Sequence, residues 1–293
     1  MSNKKLCFIG GSGLYEIDFI KNKKLINKKS LWGKPSSKII EGNLNGNNVY
    51  FLTRHGIGHN VSPSSINYRA NIDCLKQCGV TDIISISAVG SLKKSLSPGT
   101  FVIVDQFIDR TVHREKSFFN EGIVAHVPMS KPTSNELMKL AKKSLNKLKI
   151  KNKYGGTYIA IEGPQFSTKS ESKLYKSWGC DIIGMTNMPE AKLCREAEIR
   201  YASISMVTDY DSWLDNDDVD LSLVIETLNK NSQKSKKFMK EFSLNYYKNS
   251  DFSKDMTAKI LNTSIITKEK YWDKNSKKKL KYILERFNKE NNN

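Results

Sequence analysis

The stretch Ser203-Ile204-Ser205-Met206-Val207-Thr208-Asp209-Tyr210-Asp211 constrains the fold more than any other part of the chain. Apolar and β-branched residues run into it as they do in a buried strand, and two acids stand at its carboxyl end. In open α/β sheets ligands bind outside the carboxyl ends of the strands, so an acidic pair there is placed for chemistry. The ordinary alternative is that one acid caps a following helix and the other faces water. The rest of the chain decides between them.

Other strands end in a similar way. Leu6-Cys7-Phe8-Ile9 reads as a buried strand and runs into Gly10-Gly11-Ser12-Gly13. A dinucleotide fingerprint would need a further glycine where Glu16 stands, so what remains is a glycine loop with a hydroxyl, either an anion cradle or a tight turn. Strands over residues 37–41 and 49–53 flank a turn at Asn45-Gly46-Asn47 and deliver Arg54-His55-Gly56. His55 and His59 have the i, i+4 spacing of a zinc helix, but Gly56 and Gly58 argue against a helix and the metal reading is rejected. Arg54 suits either a forked hydrogen bond to an oxyanion or a surface salt bridge.

A helix is expected over 64–78, closed by Gly79, then a buried strand over 82–89 ending at Ser87-Ala88-Val89-Gly90-Ser91. A strand over 101–104 and an amphipathic helix over 133–148 follow. Tyr158 to Ile161 leads into Glu162-Gly163-Pro164-Gln165-Phe166-Ser167, a turn offering an aromatic face, and a helix is expected over 170–178. The strand over 181–186 reaches Met185 and Thr186, and Met188-Pro189-Glu190 opens the next helix. Leu221, Val224, Ile225 and Leu228 mark a helix at i, i+3, i+4, i+7. Beyond Asn229 the chain is rich in Lys, Asn and Ser, with one amphipathic helix near Leu280, Ile283, Leu284 and Phe287. Strands alternating with helices mean one α/β layered domain over residues 1–245, with a Lys/Asn-rich extension over 246–293 packed on or flanking it.

Composition narrows the function. Forty-eight Lys and Arg against thirty Asp and Glu give a net charge of +18, which raises nucleic acid as a partner. The lysines lie beside asparagines throughout, as in Lys21-Asn22-Lys23-Lys24 and Lys151-Asn152-Lys153, whereas a nucleic-acid footprint clusters. A general solvated surface is the better reading. Five cysteines without a C-x-x-C fit reduced, buried thiols in a cytoplasmic protein. The apolar run near Met1 ends in glycines instead of a secretory cleavage site, and no run approaches a membrane span.

If these strand ends converge, they form an anion site beside an aromatic slot beside acids: room for a phosphate, a ribose and a nucleobase in a row. Phosphorolysis of an N-glycosidic bond is the reaction this suggests. Gly10-Gly11-Ser12-Gly13, Thr53-Arg54-His55-Gly56, Asn67-Tyr68-Arg69-Ala70-Asn71, Ser87-Ala88-Val89-Gly90-Ser91, Asp105 to Thr111, Glu162 to Phe166, Met185-Thr186, Pro189-Glu190 and Thr208 to Asp211 occur in an order that resembles the trimeric class of purine nucleoside phosphorylases. The likeness is greatest to the branch acting on methylthioadenosine and spans about the first 230 residues.

The resemblance implies a single-domain layered α/β fold with a central mixed β-sheet flanked by helices, a homotrimer, and no cofactor beyond inorganic phosphate as co-substrate. Its partners would be a small nucleoside and phosphate, with no membrane and no nucleic acid. It places Ser12, Arg54, His55, Ser87, Ala88 and Thr186 at the phosphate. Phe166, Ser167 and Met185 fall on ribose and base contacts, Leu221 and Val224 on the 5' substituent, and His126 on a position that reaches into a neighbouring subunit. Asp209 and Asp211 fall on the purine-recognition acids, where 6-oxopurine enzymes carry Asn, so Asp209 favours adenine. Methylthioinosine, adenosine or inosine as substrate, and a nucleic-acid-binding protein of the same fold, are the rival readings.

Overall fold

The computed structural model describes residues 4–14, 17–214 and 221–291, with the backbone alone for Leu221 and Asn291. In chain order the strands are β1 (Leu6–Gly10), β2 (Lys21–Ile26), β3 (Ile39–Leu44), β4 (Asn47–Thr53), β5 (Asp82–Ser91), β6 (Phe101–Val104), β7 (Gln106–Arg110), β8 (Asn152–Tyr154), β9 (Thr157–Ile161), β10 (Ile182–Gly184) and β11 (Arg200–Asp209). The helices are α1 (Tyr68–Gln77), α2 (Asn135–Lys147), α3 (Lys169–Ser177), α4 (Asn187–Glu196), α5 (Leu221–Asn249), α6 (Lys274–Lys279) and α7 (Glu285–Asn291).

All these strands join in one mixed sheet. Its centre is parallel: β1 runs between β4 and β5, and β11 lies along the other edge of β5. The antiparallel pairs are β2 with β3, β3 with β4, β6 with β11 and β10 with β5. Unbroken apolar strands arise because both faces are covered. In β1, Leu6 and Phe8 join a cluster containing residues of α2 and α5, whereas Cys7 and Ile9 join one containing residues of α1 and α4. The parallel trio β1, β4 and β5 brings Gly10 level with Thr53 and with Ile86, so the loops after β1 and β4 open beside the last residues of β5.

The structure departs from expectation where polar residues hide regular structure. β2, β7 and β8 carry too many charged or polar residues to read as strands; edge strands need no continuous apolar run. The first helix starts at Tyr68, capped by the Asn67 side chain accepting from Ala70 N, after a separate 3-10 turn over Pro63–Ser65. α5 continues past residue 245 to Asn249 because Phe238, Met239, Phe242 and Tyr246 repeat at helical spacing among the lysines, and all four are buried. The amphipathic helix expected near the end is two short helices. Leu280, Ile283 and Leu284 are buried but lie at the turn between α6 and α7. All five cysteines are buried free thiols. No helix among the described residues is long and apolar enough to cross a membrane.

Candidate active site

A cavity of about 780 Å³ opens at the shared strand edge. Its acidic side depends on a bulge. β11 follows β5 in parallel register from Arg200 to Val207, then slips so that Asp209, not Thr208, stands opposite Gly90. A bulge re-aims a side chain, and here it coincides with the acid pair. Gly90 leaves the room: a Cβ there would come within 3.1 Å of both Asp209 Oδ2 and Asp211 Cβ.

The two acids have different neighbours. Asp209 Oδ1 accepts from Thr208 Oγ1 at 2.6 Å and its Oδ2 from Asp211 N at 3.0 Å. Asp211 Oδ2 accepts from Ser167 Oγ at 2.7 Å and also from Ser172 Oγ. Burial pushes both carboxyls above the usual carboxylate range, against the pull of these donors. Asp211 takes φ +36°, a left-handed conformation held by its surroundings.

The opposite side suits an anion. Gly11 N donates to Ile86 O at 3.0 Å, drawing the loop after β1 against β5, and Ser12 and Ser87 both line the cavity. Arg54 is 0% exposed, and its fork closes on Glu190: Nε donates to Oε2 at 2.8 Å and Nη2 to Oε1 at 3.1 Å. Neither an open fork nor a surface salt bridge describes it; it is a buried ion pair. Nη1 is left beside Gly11, where an added Cβ would approach it to 2.8 Å.

His55 Nδ1 lies 2.9 Å from Val61 O, which only accepts, so Nδ1 carries the proton. Burial, helped by Arg54, lowers the ring's pKa to about 4, so at neutral pH Nε2 is an acceptor. His59 stacks on it at 4.3 Å. Gly56, Gly58 and His59 all have positive φ, which makes this segment a loop and not a ligand-bearing helix.

Every expected site residue with a described side chain lines this cavity, except His126. Ser12, Arg54, His55, Ser87, Ala88 and Thr186 stand with Phe166, Ser167, Met185, Val224, Asp209 and Asp211. The hydroxyl of Ser167 is given to Asp211, so its side chain orients the acid. Phe166 is 55% exposed and forms part of the rim. The side chain of Leu221 lies outside the described residues. His126 is exposed, away from the cavity of its own chain.

The description of the phosphorylase superfamily matches residues 5–243. The S-methyl-5'-thioadenosine phosphorylase of Rhodospirillum rubrum is 54% identical over 233 residues, 79% of each chain. That of Bradyrhizobium diazoefficiens is 45% identical over 287 residues, covering 98% of this chain and 99% of its own. The chain belongs to the phosphorylase superfamily.

Solved structures agree. A methylthioadenosine phosphorylase from an antarctic soil metagenomic library superposes with a TM-score of 0.90 at 40% identity, covering 96% of this chain and 99% of that one. A methylthioadenosine phosphorylase of Schistosoma mansoni in complex with adenine gives 0.84 at 31% identity, covering 89% and 98%.

Within this superfamily member, sequence reasoning missed the residues that hold the site from behind. Arg114 donates from Nη2 to Glu162 O at 2.6 Å and from Nη1 to Met188 O at 2.8 Å, and it also bonds Met185 O. It therefore pins the Glu162–Gly163 turn to the strand end carrying Met185. Asn187 donates to Ser85 Oγ at 3.2 Å and accepts from Ser203 Oγ at 2.6 Å. The alternating serines of β11 were a usable signal: Ser203 and Ser205 share one face of a buried strand, where hydroxyls need partners.

Proposed function

We propose that the chain cleaves S-methyl-5'-thioadenosine by phosphorolysis, giving adenine and 5-methylthioribose 1-phosphate, in the cytoplasm and with no cofactor beyond the phosphate it consumes. One observation carries this reading: a single cavity has anion-binding groups at one side, the half-buried Asp209 and buried Asp211 at the other, and Val224, Ile225 and Leu228 as an apolar wall. The named relatives act in the same sense.

Phosphate sits among Ser12, Ser87, Thr186, the Ser12 and Gly13 amides and the Nη1 edge of Arg54. Its P–OH donates to Nε2 of His55. A phosphate oxygen bonds to C1' as the C1'–N9 bond breaks, and the bonding pair passes to adenine. The phosphate charge stabilises the oxocarbenium-like sugar, and Asp209, whose carboxyl burial shifts toward the protonated form, donates a proton to N7 as charge builds on the adenine. The adenine amino group donates to a carboxylate oxygen of the acid pair, a contact that a 6-oxopurine cannot make. The apolar wall receives the methylthio group. The working unit is a homotrimer in which His126 of each chain reaches a neighbour's cavity.

The test is adenine release from methylthioadenosine with and without phosphate, beside adenosine, methylthioinosine and inosine. Release is expected to require phosphate and to be fastest with methylthioadenosine. Asp209→Asn is expected to lower turnover about 10²–10⁴-fold, the usual contribution of a general acid. Release that ignores phosphate, or turnover unchanged in that variant, refutes the reading.

A further inference from the structure

Arg54 is the most deeply buried charge at the phosphate side of the cavity, yet its positive charge is already answered. Glu190 grips Nε and Nη2 as a bidentate pair, and both residues are almost fully enclosed. Tyr201 Oη donates to Glu190 Oε1 at 2.9 Å, so that oxygen is shared between a phenol and a guanidinium. On the other side Nη2 also donates to Ser85 Oγ at 2.6 Å, and Nη1 reaches Ile86 O at 3.3 Å. The planar guanidinium is thus held by two elements, β5 and α4, with its Nη1 edge beside the Gly11 loop.

An uncompensated guanidinium there would form strong charge-assisted bonds to a phosphate dianion. It would grip phosphate and the sugar phosphate product alike, and uniform tightening of ground states does not speed a reaction. We propose that Glu190 is a positioning residue that fixes Arg54 and, by neutralising it, keeps the phosphate side weak enough to turn over. Tyr201 moderates this by drawing charge from the shared oxygen. The inference rests on the reading of that side as the phosphate site.

The test uses inorganic phosphate alone, by calorimetry and by phosphate-dependent thermal stabilisation, together with separate KM values for phosphate and nucleoside. Glu190→Gln keeps shape but removes the countercharge. Its phosphate Kd is expected to tighten about tenfold, with kcat reduced and the nucleoside KM within about twofold of wild type. Phosphate is also expected to raise its Tm more than that of wild type, since a ligand that binds only the folded chain stabilises in proportion to its affinity.

Tyr201→Phe strips one donor from the carboxylate, so the pair closes more firmly and phosphate Kd is expected to weaken about two- to fivefold. A merely structural Glu190 predicts lower stability with phosphate affinity unchanged or lost, and either result overturns the proposal. Where the Gln variant fails to fold, an unchanged or tighter phosphate Kd in Tyr201→Phe overturns it equally. A wild-type chain that releases adenine while the variants leave phosphate affinity untouched defeats this inference alone. A wild-type chain that does not bind phosphate defeats the functional reading as well.

Discussion

Asp209 carries a cost that the fold bears for its chemistry. Burial raises its carboxyl above the unfolded value of 3.8, so the folded state prefers the protonated form. That preference stabilises the fold fully below the unfolded pKa and is lost as pH rises through the folded one. Above that window the fold holds an ionised carboxylate it disfavours. Asp209→Asn removes the penalty while keeping the shape. At pH 8 the variant is expected to be more stable than wild type by roughly 0.5–2 kcal/mol, the usual gain from relieving a strained functional group. At pH 3.5 the gain should vanish, because the wild-type acid is then protonated too. Urea midpoints at the two pH values check this, and an equal gain at both would show that titration is not its source. The acids were legible in the sequence from their place at a strand end. The bulge that aims Asp209 was not, because it depends on register with β5. The fork of Arg54 was not legible either, since Glu190 lies 136 residues away and only the fold brings them together.

Among the elements, the buried strands were read correctly because their apolar runs leave few alternatives. The helices of the last part were obscured by lysine. Residues after Asn249 look like a polar tail, yet they bury Leu261, Trp272, Leu280, Ile283 and Leu284 in the cluster that also holds residues of α1 and α4. Arg286 closes on the buried Glu198, with Nη2 to Oε1 and Nε to Oε2 both at 2.6 Å. This segment therefore completes the core on that face, and α4, which carries Glu190, packs beneath it. Leu284 is 1% exposed. Leu284→Ala is expected to cost about 2–5 kcal/mol of stability, the range for a buried leucine truncated where neighbours cannot collapse. Urea unfolding measures it, while KM for both substrates should stay within error. A cost below about 0.5 kcal/mol, typical of surface positions, would show that the segment only rests on the domain.

At the scale of the molecule, the charge of +18 is spread among asparagines along the sequence instead of being gathered in one run, which favours a small anionic substrate over a polymer. The surface around the cavity mouth is unusual in another respect. Ile57 is 83% exposed between the cavity-lining His55 and His59; Val112, 69% exposed, donates its N–H to Glu162 at the base of the turn that carries Phe166. Exposed apolar residues gathered at one rim mark a contact surface. His126 is equally well prepared, since its N–H donates to Ser264 O at 2.8 Å and Ala125 pairs with Ile265, which stiffens the segment from which it projects. If a neighbouring chain brings His126 to this rim, light scattering should give a mass near three times the 33.3 kDa of one chain. His126→Ala should then raise the nucleoside KM about tenfold, on the scale of one lost hydrogen bond in a closed site, and leave phosphate affinity as it was. A monomer with full activity, or a trimer indifferent to the loss of His126, would assign the nucleoside site wholly to one chain and leave the apolar rim to some other contact.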